Sequence, residues 1–277
     1  MLDEFIENAL KEDIRDGDHT SLSCIAENER GNARLEVRED GVLAGIRVAK
    51  RIFEIYDPSL QIDVLKKDGE YVSKGDIAFT LNGSARSILS TERLVLNVMQ
   101  RMSGIATKTR QMVDQISHTK AVLLDTRKTT PGIRLIEKEA VEIGGGGNHR
   151  FGLYDMIMIK DNHVDYAGGI SNAIRKANSY LFDQKKELKI EIEVRSTDEL
   201  SEVIKEGGVD RIMLDNFSPK EIVRALEMVP DNYETEASGG ITDETIVEYA
   251  ETGVNFISVG ALTHSVKSLD LSLKAQV

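Results

Sequence analysis

Leu2, Phe5, Ile6, Ala9 and Leu10 recur three and four positions apart, so the chain opens with an amphipathic helix. The turn chemistry of GDHTS, residues 17–21, ends it. Residues 34–39 and 42–44 read as strands around a turn at Asp40-Gly41. The spacing over 48–56 predicts a helix stopped by Asp57-Pro58. Short strand-like runs fill 61–89, punctuated by Gly69, Gly75 and Gly83. Ser90 or Thr91 then caps a helix, with Glu92 placed to favour its dipole. Leu94, Val98 and Met102 line one face of that helix, and Arg101 lies beside the face. On spacing alone Arg101 is a solvated helix arginine. A second helix, 105–116, follows Gly104.

From residue 121 strands and helices alternate. The strands are predicted at 121–125, 156–160, 189–194, 211–215, 233–237 and 255–259. The helices between them are predicted at 133–143, 165–180, 197–206, 218–228 and 242–252. The last three strand-to-strand intervals are about equal, the length of a βα unit. Such units build a doubly wound sheet or a barrel. Polar residues favour the barrel, because nearly every strand ends in chemically useful side chains. These ends are Asp125-Thr126-Arg127-Lys128, Lys160-Asp161, Glu193, Asp215-Asn216, Ser238-Gly239-Gly240 and Gly260. An open sheet would concentrate function at one switch point. The expected architecture is a C-terminal α/β barrel of about six strands, 111–277, after a smaller α+β sandwich domain, 1–110. The last residues are allowed to return to the first domain. The glycine-punctuated 61–89 stretch resembles half of a biotinyl or lipoyl carrier. It lacks the methionine-flanked lysine such a carrier presents, so a structural sheet is expected there.

Composition narrows the function. The 277 residues are 40% hydrophobic and 30% charged, ordinary for a globular protein. A net charge of −12 without a basic tract argues against nonspecific nucleic-acid binding. The aromatic-poor loops offer no base-stacking platform. Cys24 is the only cysteine, which excludes an intrachain disulfide and a multi-cysteine metal site; it reads as a small apolar filler. No apolar run reaches the roughly 18 residues of a membrane span, and no signal-peptide layout precedes the first helix. A cytoplasmic protein is the default.

Against that acidic background, cations collect at 125–163. Arg127 and Lys128 follow one apolar run, Lys160 follows another, and His149-Arg150 come just after four glycines. Guanidinium forks suit carboxylate or phosphate, so a pocket for a multiply anionic small molecule is expected. Glu191 and Glu193 occupy alternate positions of one strand and face one side. With Asp215 at a neighbouring strand end, they suit Mg²⁺ bridged to substrate oxygens, or a structural pairing with Lys160 or Arg127. ASGGIT at 237–242 and SVGALT at 258–263 each follow a strand and precede a helix. Such glycine turns let backbone N–H groups approach an anion, although plain turn chemistry explains either one alone. The sequence holds no GxxxxGK[ST], HExxH or strand-following GxGxxG. His19, His118 and His264 read as structural or surface groups.

These residues resemble the quinolinate phosphoribosyltransferases, the carboxylating nicotinate-nucleotide pyrophosphorylases. The resemblance is carried by ERLVLNVMQRMSGIAT (92–107), DTRKTTPGIR (125–134), GGGGNHRFGLYDMIMIKDNH (144–163), the Glu193 strand, IMLDNF (212–217), EASGGI (236–241) and SVGALTHS (258–265). It implies joining of quinolinate to phosphoribosyl pyrophosphate, with Mg²⁺, to give nicotinate mononucleotide, pyrophosphate and CO₂ for NAD biosynthesis. It implies that Arg101, Arg127, His149, Arg150 and Lys160 hold quinolinate. It implies that Lys128, Glu193 and Asp215 serve the ribose, pyrophosphate and metal, with Lys160 in the catalytic group. Ser238, Gly239, Gly240 and Gly260 would take the 5′-phosphate. Glu191, Asn162, His163 and His264 receive no settled role. The resemblance further implies a homodimer in which the Arg101 helix lends Arg101 to the neighbouring barrel. The alternatives are a relative using another substrate, such as nicotinate or that of molybdate-operon proteins, and a noncatalytic nucleotide-sensing barrel.

Overall fold

The computed structural model describes residues 1–276. It opens with α1 (Leu2–Ile14), which buries Ile6 and Leu10. Asp18 then caps a second helix, α2 (His19–Cys24), by accepting the Ser21 N–H at 3.0 Å. The GDHTS stretch therefore starts a helix as well as ending one. Cys24 is exposed, so it is not the buried filler its chemistry suggests.

Strands β1 (Arg30–Val37) and β2 (Gly41–Val42) do not pair with each other as a hairpin. After α3 (Ile46–Tyr56) come β3 (Gln61–Val64), β4 (Tyr71–Val72) and β5 (Ile77–Ser84). Helix α4 (Ala85–Ile116) then runs unbroken for 32 residues. β2 pairs with β4, and helix side chains take the backbone around it: Val42 N–H donates to Thr107 Oγ1 at 2.8 Å and Ala44 N–H to Ser103 Oγ at 2.9 Å. β4 and two helix side chains thus take the place of the β1 partner that the Asp40-Gly41 turn predicts.

The single long helix replaces the two expected on either side of Gly104. Thr91 does not cap it; its hydroxyl donates back to Ser87 O at 2.8 Å inside the helix. Gly104 does not break it. A Cβ there would come within 2.3 Å of Lys267 O, so the glycine admits a neighbouring backbone.

The remaining elements alternate. They are β6 (Val122–Leu124), α5 (Arg134–Ile143), β7 (Ile157–Ile159), α6 (Asp161–Ala167), α7 (Ile170–Gln184), β8 (Ile190–Val194) and α8 (Thr197–Glu206). Then follow β9 (Arg211–Asp215), α9 (Pro219–Leu226), β10 (Glu234–Ser238), α10 (Ile246–Ala250), β11 (Phe256–Ser258), α11 (Ala261–His264) and β12 (Leu271–Gln276). Every predicted strand from 121 onward is present. The helix expected at 165–180 is two, because Gly168 and Gly169 adopt φ of 85° and 114° between α6 and α7.

The chain forms two compact units. The first comprises Met1–Arg110, Thr129–Gly145 and Leu262–Val277. Its antiparallel sheet has the order β12-β1-β5-β3. Leu35, Phe79 and Leu81 are buried in it, and Phe53 of α3 meets Phe79 edge-to-face at 6.0 Å. This unit also claims α5, which a division at 110/111 leaves with the barrel. Ile136, Ala140 and Val141 of α5 are buried, and Gly144 beyond it fits against Ala106 and Thr109 with no room for a Cβ.

The second unit, Gln111–Lys128 and Gly146–Ala261, holds a parallel sheet in the order β6-β11-β10-β9-β8-β7. From β7 each strand lies beside its successor, and β6 follows β11. That is the cyclic order of a barrel; a doubly wound sheet would reverse partway. Among the described residues no ladder joins β6 to β7, and an isolated bridge from Leu124 to Gly147 extends the β6 edge. Leu123, Ile159, Ile192, Ile212, Leu214, Ala237 and Ile257 fill the core between sheet and helices. All six C-termini point the same way, which gathers the polar strand ends at one rim. No helix among the described residues is long and apolar enough to cross a membrane.

Candidate active site

The rim carries two groups of side chains. At the ends of β7, β8 and β9 stand Lys160, Glu193 and Asp215. Lys160 Nζ lies 3.0 Å from Glu193 Oε2, with the lysine half-exposed and the glutamate largely covered. Asp215 has its carboxyl held above the usual range, first by burial and then by the charge of Glu193, which places the two carboxylates within each other's field. Asn216 donates to Asp215 Oδ2 at 2.6 Å. Two hard oxygen donors that repel each other suit a divalent cation, so the pair fits Mg²⁺.

Arginines form the second group. Arg127 is exposed beyond β6, and Arg150 is partly buried after the glycine run. Burial and then the nearby Arg127 charge pull the Arg150 guanidinium below its ordinary range. Two guanidiniums close enough for one charge to bear on the other suit an anion with more than one negative group. Lys128 is exposed next to them, its N–H bonded to Thr126 Oγ1 at 3.0 Å.

The glycine loop after β10 is built for close approach. Gly239 and Gly240 have φ of 102° and 63°. A Cβ on Gly239 would meet Asn216 Oδ1 at 2.3 Å, while Gly240 faces open space. Ser238 accepts the Asn216 N–H at 2.8 Å through its carbonyl, tying this loop to the end of β9. Gly260 follows β11 at the same rim.

His149 and Arg101 each meet carboxylates of the same chain. His149 is turned inward and is only 6% exposed. Its Nδ1 accepts the Arg150 N–H at 2.7 Å, and its Nε2 lies 3.1 Å from Glu191 Oε2 and 3.5 Å from Glu236 Oε2. Arg101 donates from Nε and Nη2 to Glu137 Oε1 at 3.0 and 2.8 Å and also reaches the carbonyls of Thr263 and Val266. Glu137 is fully buried and also accepts from Thr130. Arg101 thus neutralises a buried carboxylate of its own chain. Among the unassigned residues, Asn162 and His264 are exposed, and His163 Nδ1 accepts the Lys160 N–H at 2.9 Å.

Glu236 and Arg211 were not anticipated. Arg211 opens β9, lies 3.8 Å over the Phe256 ring, and donates to Glu236 Oε2 at 3.0 Å and to Glu234 Oε2 at 3.1 Å. The available signal was a glutamate in the middle of the strand sequence ETEAS, where a buried position asks for an apolar residue.

Burial pushes Glu191 up to about 7, and burial with the Glu191 charge does the same for Glu236. Unfolded, both ionise near 4.5. Between those values the native state holds more protons, so the pair's contribution to stability falls as pH rises and levels off above the window. Glu236→Gln removes one of these titrations. Its stability relative to the parent should rise from about pH 5 to about pH 8 in denaturant unfolding. A pH-independent difference would show that the pair is ionised throughout.

Fold and rim together define an α/β-barrel enzyme that gathers cations and paired carboxylates at one mouth. Comparison with known proteins gives the family. Residues 105–274 match the C-terminal domain model of quinolinate phosphoribosyl transferase, and residues 18–103 match the N-terminal one. The chain belongs to the quinolinate phosphoribosyltransferase family. It is 47% identical over 284 residues to a chloroplastic carboxylating nicotinate-nucleotide pyrophosphorylase of Arabidopsis thaliana, covering 97% of this chain and 81% of that protein. It is 44% identical to a probable carboxylating nicotinate-nucleotide pyrophosphorylase of Bacillus subtilis, covering 99% and 93%. The crystal structure of NadC from Streptococcus pyogenes superposes with a TM-score of 0.93 at 38% identity, covering 99% and 95%.

Proposed function

We propose that this chain is a carboxylating nicotinate-nucleotide diphosphorylase. It transfers the phosphoribosyl group of phosphoribosyl pyrophosphate to quinolinate and releases pyrophosphate and CO₂. The observation that carries this reading is the gathering of Arg127, Arg150 and Lys160 beside Glu193 and Asp215, with the Arg127 charge repelling the half-buried Arg150 guanidinium. A dicarboxylate relieves that repulsion; a monocarboxylate relieves less of it.

The chemistry follows from these residue types. The bond from ribose C1′ to the pyrophosphate oxygen breaks, and positive charge builds on the ribose. Glu193 stabilises that charge electrostatically. The quinolinate ring nitrogen bonds to C1′ and becomes a pyridinium. The bond from ring C2 to its carboxylate then breaks. The electron pair stays on C2, beside the positive nitrogen, CO₂ leaves, and C2 takes a proton from solvent. Arg127, Arg150 and Lys160 position the dianion, and positioning is the larger share of what the protein must supply. Glu193 and Asp215 would hold Mg²⁺, which when bound neutralises charge on the departing pyrophosphate. The Ser238-Gly239-Gly240 turn and Gly260 receive the 5′-phosphate on backbone N–H groups.

CO₂ release from labelled quinolinate tests this reading. Release should require both phosphoribosyl pyrophosphate and Mg²⁺, stop on chelation, and not be replaced by nicotinate turnover. Equal use of nicotinate would move the chain to a relative with another substrate. We further propose a homodimer, on the family resemblance; sedimentation should give twice the chain mass of 30.7 kDa.

A further inference from the structure

Two fully buried carboxylates, Glu191 on β8 and Glu236 on β10, stand outside the reaction just described. Carboxylates in a dry interior are costly unless they are paired. Both approach one atom, His149 Nε2, at 3.1 and 3.5 Å. Arg211 holds Glu236 from the other side at 3.0 Å. The second ring nitrogen of His149 has a different task. Nδ1 accepts the Arg150 backbone N–H at 2.7 Å, while the His149 N–H itself donates to Asp125 Oδ1 at 2.8 Å. A ring nitrogen that accepts carries no proton, so a neutral His149 carries its proton on Nε2, facing the carboxylates.

We propose that Glu236, with Glu191, is a positioning residue for quinolinate binding. The two carboxylates keep the Nε2 edge of His149 turned inward. That leaves Nδ1 to fix the Arg150 backbone, and so the guanidinium that meets the substrate. The proposal rests on the quinolinate reading and has His149 act through the Arg150 backbone. His149, Glu191 and Glu236 also have the spacing of a metal site, their ligand atoms lying within 4.8 Å of one another. Arg211 argues against a cation there, because it already donates to the Glu236 oxygen nearest the ring and like charges repel.

Kinetics of four variants and one spectrum test the relay. Glu236→Leu should raise the quinolinate KM about tenfold or more and move the phosphoribosyl pyrophosphate KM by no more than about twofold. Glu236→Gln keeps an acceptor and should recover to within about threefold of the parent. Should Glu236→Leu fail to fold, the His149 pair decides. His149→Asn places an oxygen where Nδ1 sits and should lose less quinolinate affinity than His149→Gln, whose amide reaches only the Nε2 position. The ¹⁵N spectrum of the parent, assigned by the loss of signals in His149→Asn, should show the Nε2–H tautomer with Nδ1 unprotonated. That spectrum needs no substrate, so it tests the relay even if the parent fails to turn quinolinate over, an outcome that would sink the functional reading instead. The relay is overturned by a proton on Nδ1, by equal rises in both KM values, by equal losses in the two His149 variants, or by a stoichiometric metal ion removed together with these ligands.

Discussion

Arg127→Lys, folded and with its charge kept, should lose about 10- to 100-fold in kcat/KM for quinolinate. Lysine supplies a point charge where the carboxylate is gripped by a planar fork, so at least one charge-assisted hydrogen bond is lost with its angle. Arg127 is exposed beyond β6 and structures nothing in the core, so its replacement should leave the thermal melt unchanged. The KM for phosphoribosyl pyrophosphate is a second control and should move by less than about twofold. Quinolinate kinetics close to the parent's would show that Arg127 is no clamp. The Arg150 guanidinium, pulled down in part by the Arg127 charge, would then need another explanation.

Glu193→Ala should cut kcat by about 10²- to 10³-fold, the scale seen when one preorganised electrostatic group is removed from a transition state. Its partner Lys160 is half-exposed and stays hydrated without it, so the fold should survive. A melt as high as the parent's, together with the kinetic loss, assigns Glu193 to the chemistry. A collapsed melt would assign it to structure.

Most of the barrel was legible because its strands are short apolar runs with polar ends, and period alone marks them. β9 stands at the predicted residues, and the other five lie within or one residue beyond the predicted runs. What failed depended on contacts that are distant in sequence. Gly104 reads as a helix break until Lys267 O is seen filling the space a Cβ would take. Residues 42–44 read as half of a hairpin until Ser103 and Thr107, some sixty residues on, take their N–H groups. The site divides in the same way. Arg127, Lys160, Glu193 and Asp215 could be singled out because they end or follow apolar runs, and Arg150 because it follows a glycine run, all local features. Where the ring of His149 points, and where Arg101 finds its carboxylate, is decided by Glu191, Glu236 and Glu137, which no spacing rule connects to them.

The pairing of β1 with β12 reorders events on the ribosome. Asn32 to Val37 lie in register with Gln276 to Leu271, so the sheet of the first unit takes a strand from residues translated after the whole second unit. At roughly 5–20 residues per second, β1 waits on the order of 10–50 s for that partner. β5 covers one side of β1 early, while the other side stays an open edge bearing Ala33, Leu35 and Val37. Every residue of the second unit has been synthesised by Ala261. The first unit is therefore completed after the second. A nascent chain stalled before Leu271 would carry the whole catalytic rim in its sequence and still present a sticky strand to its neighbours.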